Sequence, residues 1–143
     1  MAYFQFIRDM SLPPAETWSR LTVWERHADA VPLTRVRVRT PGPTRVGTVF
    51  AARSGLGPLG FDDVMEVVAW HPPRDTAPGR CRLEKRGTFV TGWAEIEVYP
   101  CDTGSRLIWR EELRVRALPA LFDAPLAAIA TRMFIRAVTH LTA

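Results

Sequence analysis

Residues 3–10 alternate between apolar and polar side chains, with Phe4 and Phe6 on one face, the two-residue period of a strand. The alternation breaks at Ser11-Leu12-Pro13-Pro14-Ala15-Glu16-Thr17-Trp18, which reads as a helix start. Proline is tolerated in a first helical turn, where its missing N–H has no intrahelical partner. Trp18 and Leu21 lie three apart and share a helix face. A second short helix is predicted over residues 23–30, ending before Pro32. Further strands are predicted over residues 34–39, 46–53, 62–70, 80–86, 89–99 and 106–116, punctuated by glycine, proline and aspartate as in a meander. From Pro119 the period changes. Phe122, Leu126, Ile129, Met133, Ala137 and Leu141 recur at four and three, an apolar helical stripe about 20 residues long. Pro125 puts the helix start nearby, with Asp123 or a neighbour as cap, or else introduces a kink.

The turns set the register of the last three strands. A two-residue Gly87-Thr88 turn opposes Lys85 to Val90, Leu83 to Gly92 and Cys81 to Ala94. In the next hairpin, pairing Val98 with Leu107 keeps apolar faces together and opposes Ile96 to Trp109, Ala94 to Glu111 and Gly92 to Leu113. Opposed residues share a face. One face then carries Cys81, Leu83, Lys85, Val90, Gly92, Ala94, Ile96, Val98, Leu107, Trp109, Glu111, Leu113 and Val115. The other carries Arg82, Glu84, Trp93, Glu95, Glu97, Arg110, Glu112 and Arg114. A one-residue slip would bury that whole charged set, so the parity is firmly specified. On the preceding strand Asp63, Met65, Val67 and Ala69 are expected inward, and Trp70, like Trp93, outward.

Glu111 and Lys85 are the exceptions on the apolar face. An unpartnered buried charge costs several kcal/mol, so each needs a partner or an exit to water. In this register they lie roughly 13 Å apart along the sheet and are not expected to pair. Lys85 sits near a turn, where snorkelling to the rim is its expected fate. Glu111 has two readings: a structural carboxylate bonded to a tryptophan N–H or water, or an acid or base that meets a ligand. Gly92 and Ala94 leave volume unfilled between them. Small residues and a few polar groups on an apolar face suggest a cavity. The expected architecture is α+β: a curved seven-stranded antiparallel sheet around a long C-terminal helix, with two short helices after the first strand. Candidate ligand-binding residues are Trp24, His27, Phe50, Met65, Leu83, Lys85, Gly92, Ala94, Ile96, Trp109, Leu113, Phe122, Ile129 and Met133. Glu111 and Asp63 are the candidate acid–base pair, since desolvation in such a pocket would raise a carboxyl pKa towards neutrality.

The 143 residues suit a single domain, residues 1–143, with a real core. Hydrophobic content of 47% and charged content of 24% are ordinary for a globular protein. The N-terminus lacks the basic start and apolar core of a signal peptide, and no run approaches membrane-spanning length, so a cytoplasmic location is expected. A net charge of +4 raises the question of nucleic acid, but Arg35, Arg37 and Arg39 alternate with Val36 and Val38 as on a strand with one wet face, and no nucleic-acid motif accompanies them. Cys81 and Cys101 have no metal-ligand spacing and lie roughly 20 Å apart along the predicted strands, so both are expected as free thiols, Cys81 buried. His27, His71 and His140 do not pair at metal spacing; no metal or cofactor is expected. His71 and His140 read as solvated. Trp18 and Trp24 read as packing the helices on the sheet. Gly55-Leu56-Gly57-Pro58-Leu59-Gly60 lacks the Lys-Ser/Thr of a phosphate loop and joins two strands. Its leucines and Phe61 suggest a loop folded over something apolar, either as a lid or as plain packing. No Gly-x-Ser-x-Gly elbow is present, which disfavours covalent catalysis.

The element order and several short motifs resemble the START-like (SRPBCC) superfamily and its polyketide cyclase/dehydrase branch, the helix-grip proteins. Leu12-Pro13-Pro14-Ala15-Glu16-Thr17-Trp18 is similar to the strand-to-helix signature of that family, and Trp24 followed by Val31-Pro32 to its second-helix segment. Val46-Gly47-Thr48, Val67 through Pro72-Pro73, and Leu107-Ile108-Trp109-Arg110-Glu111-Glu112 resemble its later strands. The resemblance implies a deep pocket between sheet and C-terminal helix for lipids, sterols, polyketides or hormone-like molecules. Some members cyclise or dehydrate polyketide chains; others bind or carry. It transfers no catalytic motif, and fold does not fix function. Three classes of function follow: a binder or carrier of an apolar small molecule, lipid or polyketide-like; a non-covalent cyclase or dehydratase; and a macromolecular partner protein using its arginines. A homodimer is open to it through outward tryptophans.

Overall fold

A computed structural model describes all 143 residues. The chain runs β1 (Ala2–Met10), α1 (Pro14–Thr22), a 3₁₀ turn (Trp24–Arg26) leading into α2 (His27–Ala30), β2 (Thr34–Val38) and β3 (Val49–Ser54). It continues through β4 (Phe61–His71), β5 (Gly79–Arg86), β6 (Val90–Cys101), β7 (Gly104–Val115) and α3 (Asp123–Leu141). The strands form one seven-stranded antiparallel sheet in the order β1-β7-β6-β5-β4-β3-β2. The fold is α+β as expected, with α1 and α2 inserted after β1 and α3 packed on the sheet. No helix is long and apolar enough to cross a membrane.

The β6–β7 register is the expected one, with Ala94 opposite Glu111 and Ile96 opposite Trp109. The β5–β6 register differs. Lys85 pairs with Gly92, Leu83 with Ala94 and Cys81 with Ile96. Arg86 pairs with Thr91, so residues 87–90 make the turn rather than Gly87-Thr88 alone. The shift is by two residues, so every side chain keeps its face. The outer face is a lattice of ion pairs: Arg82 meets Glu95 (2.6 Å) and Glu84 (3.1 Å), Arg110 meets Glu97, and Trp93 donates to Glu112 (3.1 Å) beneath the Arg82 guanidinium.

β4 departs from simple alternation. A bulge between Val67 and Ala69 changes its parity. Asp63, Met65 and Val67 face inward as expected, but Ala69 lies opposite Arg82 and Trp70 opposite buried Cys81. Trp70 therefore joins Trp18 (5.0 Å between ring centroids) and Trp24 (6.5 Å) inside, correcting its outward assignment. β3 starts later than expected, at Val49, because Gly47 turns the chain at φ +96°. The loop after β3 also differs. Leu59 is 87% exposed and Leu56 also points to solvent, so neither leucine folds over anything; Phe61 does stack on Phe89 (5.0 Å).

α1 carries Pro14 as its first residue and is held by a fully buried polar link, Thr17 Oγ1 to Ser105 Oγ at 2.7 Å, with Ser105 donating to the Leu12 carbonyl (2.9 Å). α3 tolerates Pro125 in its first turn. No side chain caps it; Asp123 pairs instead with the N-terminal ammonium (2.6 Å). Its buried side is set partly by alanines. Ala130 and Ala137 are buried beside Val138 and Leu141, while Phe134 stacks on Phe4 (5.7 Å) and Trp109 (5.1 Å). The buried stripe keeps Ala137 and Leu141 of the expected one and adds Ala130 and Val138, while Ile129 is left 65% exposed at its edge.

Both cysteines are free, and burial pushes the Cys81 thiol up to about 12. Gly92 adopts φ +131°, and a Cβ there would collide with the Glu112 carbonyl. Gly92→Ala is therefore expected to destabilise the fold by roughly 3 kcal/mol or more. Urea denaturation of the variant checks this; a loss below about 1 kcal/mol would show that β6 relaxes freely there.

Candidate functional site

A cavity of about 240 Å³ lies between the sheet and the first half of α3. Val36 of β2, Phe50 of β3, Met65 of β4, Leu83 of β5, Ala94 of β6 and Trp109 of β7 all line it. Six adjacent strands span about 24 Å in a flat sheet, too far to enclose one such hollow, so the sheet must bend around it. The opposite wall is α3 through Leu126, Ile129, Ala130, Met133 and Phe134, and Trp24 and His27 close one side. Trp24 stacks on Phe50 at 4.5 Å, fixing that corner. The volume falls slightly below the ~300 Å³ at which ligand pockets usually begin.

The expected wall residues Trp24, His27, Phe50, Met65, Leu83, Lys85, Ala94, Trp109, Leu113, Ile129 and Met133 all line this cavity, as do Asp63 and Glu111. Gly92, Ile96 and Phe122 do not. Gly92 is a backbone crossing point, Ile96 is fully buried at the Cys81 level of the core, and Phe122 lies ahead of α3, 44% exposed. Other wall residues went unrecognised: Val36, Ala52, Val90, Val115, Ala130 and Phe134. The signal was present for Val36, which alternates with arginines, and for Ala130 and Phe134, spaced four apart on α3.

The polar part of the wall is one cluster. Lys85 Nζ donates to Asp63 Oδ2 at 2.7 Å and pairs with Glu111 Oε1 at 3.3 Å. Lys85 and Glu111 are almost wholly buried, with side chains 3% and 2% exposed. This corrects two expectations, that the pair stands far apart and that Lys85 reaches the rim. With the observed register they are offset by two residues, and the long lysine stem spans the gap across Ala94 and Gly92. The Trp109 indole lies near Glu111 and favours its charged form, but its N–H finds no hydrogen-bond partner in the protein. The expected tryptophan bond to Glu111 is therefore not made. Glu111 Oε2 and Asp63 Oδ1 are likewise buried without a partner.

Electrostatics follow from this geometry. Burial pushes the Glu111 carboxyl up; the Lys85 ammonium opposes this without cancelling it, and Asp63 adds to the rise. Burial alone would push Lys85 down, but Glu111 and Asp63 outweigh it and hold the ammonium above its ordinary range. Burial pushes His27 down, against its hydrogen bond to the Leu21 carbonyl (2.7 Å). That bond makes Nε2 the donor and leaves Nδ1 as an acceptor in the neutral ring. His71 and His140 are exposed.

By sequence the chain matches no family model and no curated protein. By structure it has clear likenesses. The human StarD13 (DLC2) lipid transfer and protein localization domain aligns at TM-score 0.73 and 10% identity, over 99% of this chain and 77% of that one. The ZhuI aromatase/cyclase from Streptomyces sp. R1128 aligns at 0.70 and 14%, over 98% and 90%. Ara h 8.0201 aligns at 0.65 and 14%, over 97% and 96%. The chain shares the fold of these structures, a seven-stranded antiparallel sheet with two short helices after β1 and a long C-terminal helix packed on it. At such identities the likeness concerns the fold, and the Asp63, Lys85 and Glu111 cluster is read from this chain alone.

A raised Glu111 pKa means that the folded state holds a proton the unfolded chain has released. Stability should therefore fall as pH rises above the ordinary glutamate value of 4.5. Glu111→Gln removes that loss, so its stability relative to wild type should improve steadily from pH 4 to pH 7. Urea titrations at several pH values check this; parallel pH profiles for the two proteins would contradict it.

Proposed function

We propose that the protein binds an apolar small molecule, lipid or polyketide-like, in the cavity between sheet and α3, as a binder or carrier. The carrying observation is the hollow itself. Well-packed cores leave few voids larger than a water, yet here side chains from six strands and α3 surround about 240 Å³ of largely apolar space. The named activities of structural neighbours, lipid transfer and aromatase/cyclase, are compatible with such a guest. A guest slightly larger than the resting hollow fits if α3 shifts, since Ile129 and Phe61 at the mouth are already partly uncovered.

A second reading is a non-covalent cyclase or dehydratase with Glu111 and Asp63 as general acid and base. It is favoured by one observation: both carboxyls line the cavity with an oxygen left free of protein partners. A raised Glu111 pKa suits a proton donor near neutral pH. Under this reading Glu111→Gln loses turnover of an added polyketide substrate while retaining its binding.

The binding reading is tested with N-phenyl-1-naphthylamine, a neutral probe that fluoresces in apolar surroundings. Saturable binding at one site per chain is expected, together with an organic-extractable small molecule detected by mass spectrometry in freshly purified protein. Ala52→Leu and Ala94→Leu, which intrude on the cavity, should weaken probe binding at least about tenfold and cost up to about 3 kcal/mol of stability. Absence of saturable probe binding to folded wild-type protein would refute the reading.

A further inference from the structure

The donors and acceptors at the closed end of the cavity do not balance. Lys85 has three N–H donors, and three protein groups surround its Nζ: Asp63 Oδ2 (2.7 Å), Glu111 Oε1 (3.3 Å) and the Met65 sulfur (3.9 Å). The ammonium is therefore turned towards protein groups, chiefly the two carboxyls. What remains on the wall without a protein partner is Asp63 Oδ1, Glu111 Oε2 and the Trp109 indole N–H. Two of the three accept. His27, with Nε2 committed to the Leu21 carbonyl, adds a further acceptor at Nδ1. Formal charge points the same way, since one ammonium faces two carboxyls.

We infer that the cavity selects an apolar molecule ending in a protonated amine, with the ammonium group lodged between Asp63 Oδ1 and Glu111 Oε2. The inference rests on the binding reading above and names the guest's polar end. An ammonium supplies donors to both oxygens and balances the second carboxylate once Glu111 is ionised. It also enters a cavity with an aromatic wall, because Trp109 and Trp24 line it and ring faces attract cations. A carboxylate guest meets the opposite conditions: acceptors where it needs donors, and two carboxyls against one ammonium. A hydroxyl supplies one donor where two acceptors wait. Burial is the main cause of the raised Glu111 pKa, and the second carboxyl beside it adds to the rise. An arriving ammonium relieves it, with Glu111 releasing its proton to solvent.

The test compares octylamine, octan-1-ol and octanoate at pH 7, which share one apolar chain and differ only in the polar end. Each displaces N-phenyl-1-naphthylamine from wild-type protein. Octylamine is expected to displace the probe at a concentration at least about tenfold below that of octanoate and below that of octanol, as charge-assisted hydrogen bonds in a desolvated site would give. In Asp63→Asn, whose fold is verified by thermal unfolding, the amine advantage, read as the ratio of the octanol to the octylamine displacement concentration, should shrink at least about threefold. Equal or better displacement by octanoate or octanol, or an amine advantage that survives both Asp63→Asn and Glu111→Gln, overturns the inference. Failure of the probe itself to bind wild-type protein would instead bring down the binding reading, so the two failures are distinguishable.

Discussion

Lys85 holds two carboxyls together in a place where none of the three groups would stay alone. Each has left water for an apolar wall, and the attraction between them in that dry setting is what keeps them there. Removing one partner from such a buried set typically costs about 3–5 kcal/mol, because a charge is left stranded. A set of well-packed hydrophobic residues could serve stability as well or better. The cluster therefore makes most sense as part of a site rather than as glue. Ala94, on β6 opposite Glu111, lines the same hollow, and a larger side chain there would intrude on it.

The sheet parity that puts Lys85 and Glu111 inside is enforced from outside. The reverse face of β5, β6 and β7 is a network in which Arg82, Glu84, Glu95, Glu97 and Arg110 pair with one another. Individually such exposed or half-exposed pairs contribute little. Their collective effect is on register, since any slip by one residue would turn the network inward and the apolar face outward. Arg35 and Arg37 do a related job on β2, an edge strand, where like charges discourage pairing with another chain.

Much of this was legible in the amino-acid order. Alternation is strong on β5 to β7 because charge and hydrocarbon are cleanly separated, so face assignments survived even where the Gly87-Thr88 turn was misread by two residues. The long helix was legible for the same reason, and so was part of its inward side, Ala137 and Leu141. The rest was not: Leu, Ile and Met dominate a reading by size, whereas Ala130 and Val138 are the residues buried there. The Lys85–Glu111 pairing was missed because an extra two-residue offset moved the pair apart on paper, and because a lysine near a turn is ordinarily solvated. Trp70 was misplaced for a different reason: nothing in Val67-Val68-Ala69 announces a bulge, since all three residues suit either face of a strand.

That bulge has a consequence for how β4 is used. Ahead of it the strand sends Asp63 and Met65 into the cavity; beyond it the strand sends Trp70 to the tryptophans of the helical segment. A regular strand with one parity would have to choose between these two clients. The extra residue switches the strand's parity, so the cavity-facing half and the scaffold-facing half of a single strand are set independently. A lineage could remodel what the hollow accepts without renegotiating how α1 is moored.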